Sequence, residues 1–172
     1  MTWTLRRASP EDAGAASLVA GASFLESFAG ILTGPDIVAH VANKSSPSVM
    51  AAWIADPAAV LTLAEHPRGL APVGYSLLTP PDLPIETGAS DIELRRIYAL
   101  SMTRGTGLGA LLMAQAIGDA RAMGRRRMLL GVLATNRIAR AFYERQGFAL
   151  AGERRFLVGA TWHDDVVYAR GI

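Results

Sequence analysis

The stretch Asp91-Ile-Glu-Leu-Arg-Arg-Ile-Tyr-Ala-Leu-Ser-Met-Thr-Arg-Gly-Thr-Gly-Leu-Gly-Ala110 decides the fold. Residues 91–100 alternate and become rich in β-formers toward their end, which predicts a strand. Gly105, Gly107 and Gly109 then make a dense glycine turn, and Leu108 to Met123 reads as a helix that stops at Gly124. A strand, a glycine turn and a helix in that order gather backbone N–H groups into one concavity at the positive end of a helix dipole. That combination suits a phosphate or pyrophosphate. A plain strand-to-helix turn that needs flexible residues would use the same glycines.

Working outward, Arg125, Arg126 and Arg127 follow the helix and are expected as a solvated patch favoured by its dipole. Met128 to Leu133 is a continuous apolar run, the pattern of a strand buried on both faces. Asn136 caps a helix running to about Gln146, with Gly147 behind it. Phe148 to Val158 and Trp162 to Arg170 form a last pair of strands around Gly159-Ala160. Upstream, Trp3 to Arg7 reads as a strand, and Ser9-Pro10-Glu11-Asp12 opens a helix expected to reach about Ala22. A second helix starts near Pro35, and a third fills the second half of Ser45 to Asp56. Ala59 to Glu65 and Pro72 to Leu78 are strands joined by His66-Pro67-Arg68-Gly69, and Pro80 to Ser90 is a loop. Strands alternating with helices predict an α/β sheet with some antiparallel pairing, in a single domain over residues 1–172.

Composition narrows the function. The 172 residues (18.2 kDa) are 51% hydrophobic and 19% charged, within the globular range. With no cysteine, a disulfide scaffold, a Cys-ligated zinc site and a catalytic thiol are excluded, and a reducing, cytoplasmic setting is expected. No leader segment and no membrane span are read from the sequence. The net charge is only +2, although the pI is about 9.4, because Lys44 is the sole lysine and the other basic residues are Arg. This disfavours nucleic acid as a partner. No Gly-Lys-Ser/Thr occurs, which excludes a P-loop.

Two ligand classes compete for the turn. Gly105, Gly107 and Ala110 have the spacing of the dinucleotide fingerprint, but that reading wants an acid at the end of the next strand. Residues 128–136 contain none. An Arg serving a 2′-phosphate keeps an NADP-binding protein as a distant alternative. The other class is coenzyme A. Arg104-x-x-Gly107-x-Gly109 resembles the Arg/Gln-x-x-Gly-x-Gly/Ala signature of the GCN5-related N-acetyltransferases. Glu93-Leu-Arg-Arg-Ile-Tyr-Ala-Leu100 looks like that family's central strand. Asn136-Arg-Ile-Ala-Arg-Ala-Phe-Tyr143-Glu-Arg-Gln-Gly-Phe148 is similar to its second motif. The two motifs occur in the family's order, one helix and one strand apart. Within the family the pattern looks closest to bacterial small-molecule acetyltransferases of the polyamine-acetylating kind.

The resemblance implies a GNAT-like mixed, mostly antiparallel central sheet flanked by helices, with central strands that splay to admit acetyl-CoA as cosubstrate. It implies direct transfer of the acetyl group to a primary amine of a small molecule or peptide. The backbone of Ile97, Tyr98 and Ala99 would contact the pantetheine and acetyl carbonyl, and Arg104, Gly105, Thr106, Gly107, Leu108, Gly109 and Ala110 would cradle the pyrophosphate. Tyr143 would be the acid toward the sulfur. Asn136, Ala139, Arg140 and Tyr143 share one helix face, with Asn136 and Tyr143 roughly 10 Å apart along it. Asn136 reads equally as a helix cap, and Tyr143 alone as a packed aromatic.

A thioester and an alkylamine, whose pKa lies near 10.4, also need a base. Glu93 is the candidate, standing four residues before Ile97 and hence on the same strand face by strict alternation; a salt bridge to Arg95 or Arg96 competes for it. Gly131 stands where other family members carry a base glutamate, and a water relay is open in its place. Glu86, Asp91 and Glu93 would suit a cationic acceptor. His163-Asp164-Asp165 resembles a metal-ligand cluster only superficially, because neighbours in a strand face opposite sides; it is expected as an edge or substrate-side feature, and no metal is expected. A homodimer is compatible with the sequence, and a non-catalytic acyl-CoA-binding regulatory module is the other reading; Tyr143 argues for an enzyme.

Overall fold

A computed structural model of the chain describes residues 2–172. In chain order its elements are β1 (Thr4–Arg7), α1 (Ala13–Phe28), α2 (Gly34–Lys44), α3 (Pro47–Ala55), β2 (Val60–Glu65), β3 (Pro72–Thr79), β4 (Asp91–Ala99), α4 (Leu108–Ala122), β5 (Arg127–Leu133), α5 (Arg137–Arg145), β6 (Ala149–Val158) and β7 (Thr161–Gly171). The helix starts follow local chemistry. Thr33 Oγ1 accepts from Asp36 N (3.2 Å) and Ser46 Oγ from Val49 N (3.3 Å), so α2 and α3 are each capped by a hydroxyl. Asp12 accepts from Ser9 N (2.7 Å) and from Arg6 Nη1 (2.7 Å), which pins the turn before α1 to β1. α1 continues past the expected end at Ala22, because Ser23 and Phe24 are buried on the inner face of its next turn.

The strands form one seven-stranded sheet in the order β1-β2-β3-β4-β5-β7-β6. Only β4 and β5 run parallel; the remaining neighbours are antiparallel. One face packs under α1 and α3 through Ala16, Val19, Met50, Leu61, Leu63 and Leu77. The other packs under α4 and α5 through Leu78, Ile92, Leu94, Met113, Ile117, Met128 and Tyr168. β2 is buried along its whole length, as a strand covered on both faces must be.

Two irregularities in the middle of the sheet position the site. The β4–β5 ladder holds only Asp91↔Arg127, Ile92↔Met128 and Glu93↔Leu129. Beyond it β4 stays with β3 as far as Ala99, while β5 stays with β7 as far as Leu133, so the sheet opens between them. This is why Gly131 and Leu133 are only half-buried, although the apolar run predicted burial throughout. The second irregularity is a bulge in β4. Leu78 faces Leu94 and Leu77 faces Arg96, leaving Arg95 as the extra residue.

Candidate active site

The bulge corrects the expected strand geometry. Arg95 Nε donates to Thr79 Oγ1 (3.1 Å) and its guanidinium lies 5.2 Å from the Trp53 ring centre. Arg96 donates to Ser45 Oγ and Lys44 O. Both arginines therefore face the α1–α3 side, and alternation shifts by one from there on. Glu93, paired with Thr79, shares that side, whereas Ile97 packs against Leu108 and Leu112 on the α4 side. Glu93 and Ile97 lie on opposite faces, contrary to strict alternation. Glu93 is nevertheless the last residue of β4 that pairs with β5, so it stands at the apex of the opening. Its carboxylate is buried, accepts from Asp82 N (2.8 Å) and lies 3.6 Å from Arg95 Nη2.

Ile97, Tyr98 and Ala99 lie beyond the apex, where β4 has a neighbour on the β3 side alone. The glycine turn follows. Thr103 is buried and bonds Leu100 O through Oγ1 (2.7 Å), Thr106 Oγ1 bonds Thr103 O (2.6 Å), and Glu26 of α1 accepts from Ser101 N (2.7 Å). Gly105 (φ +76°) and Gly107 (φ +83°) sit in the left-handed region with open space around the missing Cβ. Backbone conformation, not crowding, requires glycine there. The α4 ladder opens with Leu111 donating to Gly107 O (3.0 Å). Among the described residues the N–H groups of Gly105, Gly107, Leu108, Gly109 and Ala110 have no acceptor, so five unpaired donors lie in the turn and first residues at the positive end of α4. Such donors fit a pyrophosphate.

Across the opening, Asn136 caps α5, with its side-chain oxygen accepting from Ala139 N (3.1 Å). The cap consumes Oδ1 and leaves the amide N–H₂ free to donate. Arg140 turns away to Tyr168 OH (3.0 Å) and Ala134 O (2.9 Å), and Tyr168 donates to Glu144 (2.8 Å). Tyr143 is half-buried among the rings of Phe142, Phe148 and Tyr168, at centroid distances of 5.5, 6.0 and 6.5 Å. Its hydroxyl has no hydrogen-bond partner among the described residues, and burial pushes the phenol above its ordinary pKa, so it holds its proton. Tyr98 is pushed up by the same burial, with the Tyr75 and Tyr143 hydroxyls adding to the effect.

On the α1–α3 side an open cleft of about 530 Å³ is bounded by the loop after β3 and by β6; Asp82, Glu153, Arg154 and Phe156 line it. His163 and Asp165 share the sheet face of Arg154 and Phe156, since Arg154 pairs with Asp165 and Phe156 with His163 in the β6–β7 register. Asp164 points the other way. Sequence reasoning missed Arg154, although the bare Gly131 hinted at it: a Cβ at Gly131 would lie 2.5 Å from Arg154 Nη2. Of the acids expected to attract a cation, Asp91 and Glu93 are already engaged, whereas the Glu86 side chain is exposed and its carboxylate has no partner among the described residues. Asp91 is bound by Arg127 (2.6 Å) and by Gly88 N (2.8 Å), and Arg127 holds its carboxyl below the ordinary range. Arg125 and Arg127 are not a solvated patch; they tie down Ala89 O, Glu86 O and Asp91. Among the described residues no cluster of three His, Asp or Glu side chains is arranged to hold a metal, and no helix is long and apolar enough to cross a membrane.

Residues 31–148 match the model of the acetyltransferase (GNAT) family. Uncharacterized N-acetyltransferases of Mycobacterium bovis and Mycobacterium tuberculosis are each 35% identical over 129 residues, 75% of this chain and 77% of theirs. The fold is similar to that of the PaiA N-acetyltransferase of Thermoplasma acidophilum in complex with coenzyme A (TM-score 0.82, 20% identity, 100% of both chains). It is also similar to that of an N-acetyltransferase of Staphylococcus aureus (TM-score 0.75, 19% identity, 99% of both chains).

Proposed function

We propose, from the premise that this chain belongs to the GNAT family of acetyltransferases, that it moves the acetyl group of acetyl-CoA to a primary amine of a small molecule or peptide. The observation that carries this reading is the sheet opening at Glu93, which leads from the unpaired edge of β4 to five free N–H donors at the start of α4. Acetyl-CoA supplies an activated acyl group on a thiolate leaving group. Gly105 to Ala110 donate backbone N–H bonds to the pyrophosphate, and Arg104 adds charge beside them. Ile97, Tyr98 and Ala99 offer the backbone edge that β5 leaves unpaired to the pantetheine and the acetyl carbonyl, and Asn136 donates its amide N–H₂ to the same arm. Tyr143 donates its hydroxyl proton toward the sulfur. That bond strengthens only as the sulfur gains charge, so it favours the transition state.

Glu93 is the proposed base. An alkylamine is mostly an ammonium at neutral pH, and a carboxylate at the apex takes its proton directly or through water. Without a cysteine no acyl-cysteine is formed, so the amine attacks the thioester itself. The reaction is assigned to a single cytoplasmic N-acetyltransferase domain, acting alone or as a homodimer.

Thermal melting with acetyl-CoA, free coenzyme A and NADPH tests the cosubstrate. A ligand at 100 times its Kd adds about 2.7 kcal/mol, which at this size raises the midpoint by roughly 5–11 °C. The expected result is a shift with both coenzyme A forms and none with NADPH. A shift with NADPH alone would remove the transferase reading.

A further inference from the structure

Arg154 is a mostly buried guanidinium held in a fixed plane. One face lies on the backbone of Gly131, where a Cβ would meet Nη2, Cζ and Nε at 2.5, 2.8 and 3.0 Å; the Phe156 ring centre is 4.8 Å from Cζ. Its side chain is 17% exposed, and its one ion-pair contact is a single 3.2 Å bond from Nε to Asp165. Among the described residues Nη1 and Nη2 have no partner. A guanidinium carries five N–H donors in a rigid fork, and a desolvated one with its terminal edge unpaired is matched by a planar anion. Arg154 lines the open cleft beside Asp82, and the Gly131 on which it rests is only two residues beyond Leu129, the partner of Glu93 at the apex of the opening.

We propose that the acceptor is an amine carrying a carboxylate a few bonds from its nitrogen, and that Arg154 selects it by receiving that carboxylate on its terminal N–H groups. This rests on the acetyl-CoA reading above and adds the acceptor class. It also explains why β5 carries Gly131: any side chain there would displace the guanidinium from its plane.

The test is a substrate panel on the whole protein, followed by thiol release: α- and ω-amino acids, their carboxamides, the matching decarboxylated amines, and spermidine. The wild-type protein is expected to turn over at least one amino acid with kcat/KM about 30-fold or more above its carboxamide and decarboxylated partners. R154Q is expected to erase that preference by raising KM for the acid and to leave turnover of the amide within a few fold. R154K, which keeps the charge and loses the fork, is expected to fall between them. A wild-type preference for amides, simple amines or spermidine would overturn the inference, as would R154Q lowering acid and amide equally. Because the panel itself discriminates, the inference stays testable even where R154Q folds poorly. A midpoint shift with acetyl-CoA and no turnover of any acid rejects this inference alone; no shift with acetyl-CoA rejects the reading beneath it.

Discussion

Tyr143 donates to no group among the described residues, so replacing it with Phe deletes a hydroxyl and breaks no native bond. Y143F is therefore expected to melt within about 2 °C of the wild type and to bind acetyl-CoA as well, while kcat falls on the order of 100-fold. A matching fall in melting temperature would make Tyr143 a packing residue instead. E93Q keeps an acceptor for Asp82 N and loses the base. Its rate is expected to recover toward wild type at high pH, where the amine is already neutral, and an unchanged pH–rate profile would sink the assignment. At this scale the sequence exposes what depends on neighbours along the chain. Asn136 reads as a cap because its bond reaches only three residues ahead. The side of the sheet that Glu93 faces is not readable, because it turns on a bulge fixed by the register of β3 against β4. Arg154 is hidden for a similar reason: it meets Gly131 only after β6, β7 and β5 have aligned.

The β6–β7 hairpin is the element that carries Arg154, Phe156, His163 and Asp165, and its tip is tied to α2. Asp36 accepts from Ala160 N (2.9 Å) and Thr161 Oγ1 (2.6 Å), and Phe156 and Val158 pack against Phe24, Leu32 and Ile37. Gly159 closes the turn at φ +57°, with the place of a Cβ only 2.7 Å from Asp36 Cα. G159A faces a left-handed backbone penalty of about 1–2 kcal/mol before the clash with Asp36 is counted. We expect its melting point to fall by at least roughly 2–8 °C and KM for the acceptor to rise, with acetyl-CoA binding unaffected. A KM change for acetyl-CoA alone would show that the hairpin serves the other side of the sheet. The turn at Gly159-Ala160 is readable in the sequence as a hairpin. Its docking onto Asp36 is not, because the two positions lie more than a hundred residues apart and nothing local in Pro35-Asp36 distinguishes a dock from a helix start.

For the molecule as a whole, the order of strands and helices is readable because each element carries its own period and caps, whereas the opening of the sheet is a tertiary property of where two ladders part. Global stability gives a check on that tertiary packing. His40 of α2 is buried, stacked 4.3 Å from the Phe24 ring, with Phe156 at its edge. Burial pushes its pKa down to about 4, and the Arg96 and Lys44 charges add to the effect. The folded protein thus prefers the neutral ring more than the unfolded chain does, whose His titrates near 6.5. His40 therefore stabilises fully above pH 6.5, and its contribution is lost as pH falls from 6.5 to about 4. The full loss is about 3 kcal/mol. The carboxylates of Asp12 and Asp91, held low by Arg6 and Arg127, act in a separate window, with stability present above their unfolded pKa near 3.9 and lost below it. Urea midpoints at pH 7.5, 5.5 and 4.5 are expected to drop steadily for the wild type. For H40F the same points are expected to be nearly level down to pH 4.5, whatever its stability at pH 7.5. A wild-type midpoint that stays flat across this range would mean that water reaches the imidazole between α1, α2 and β6.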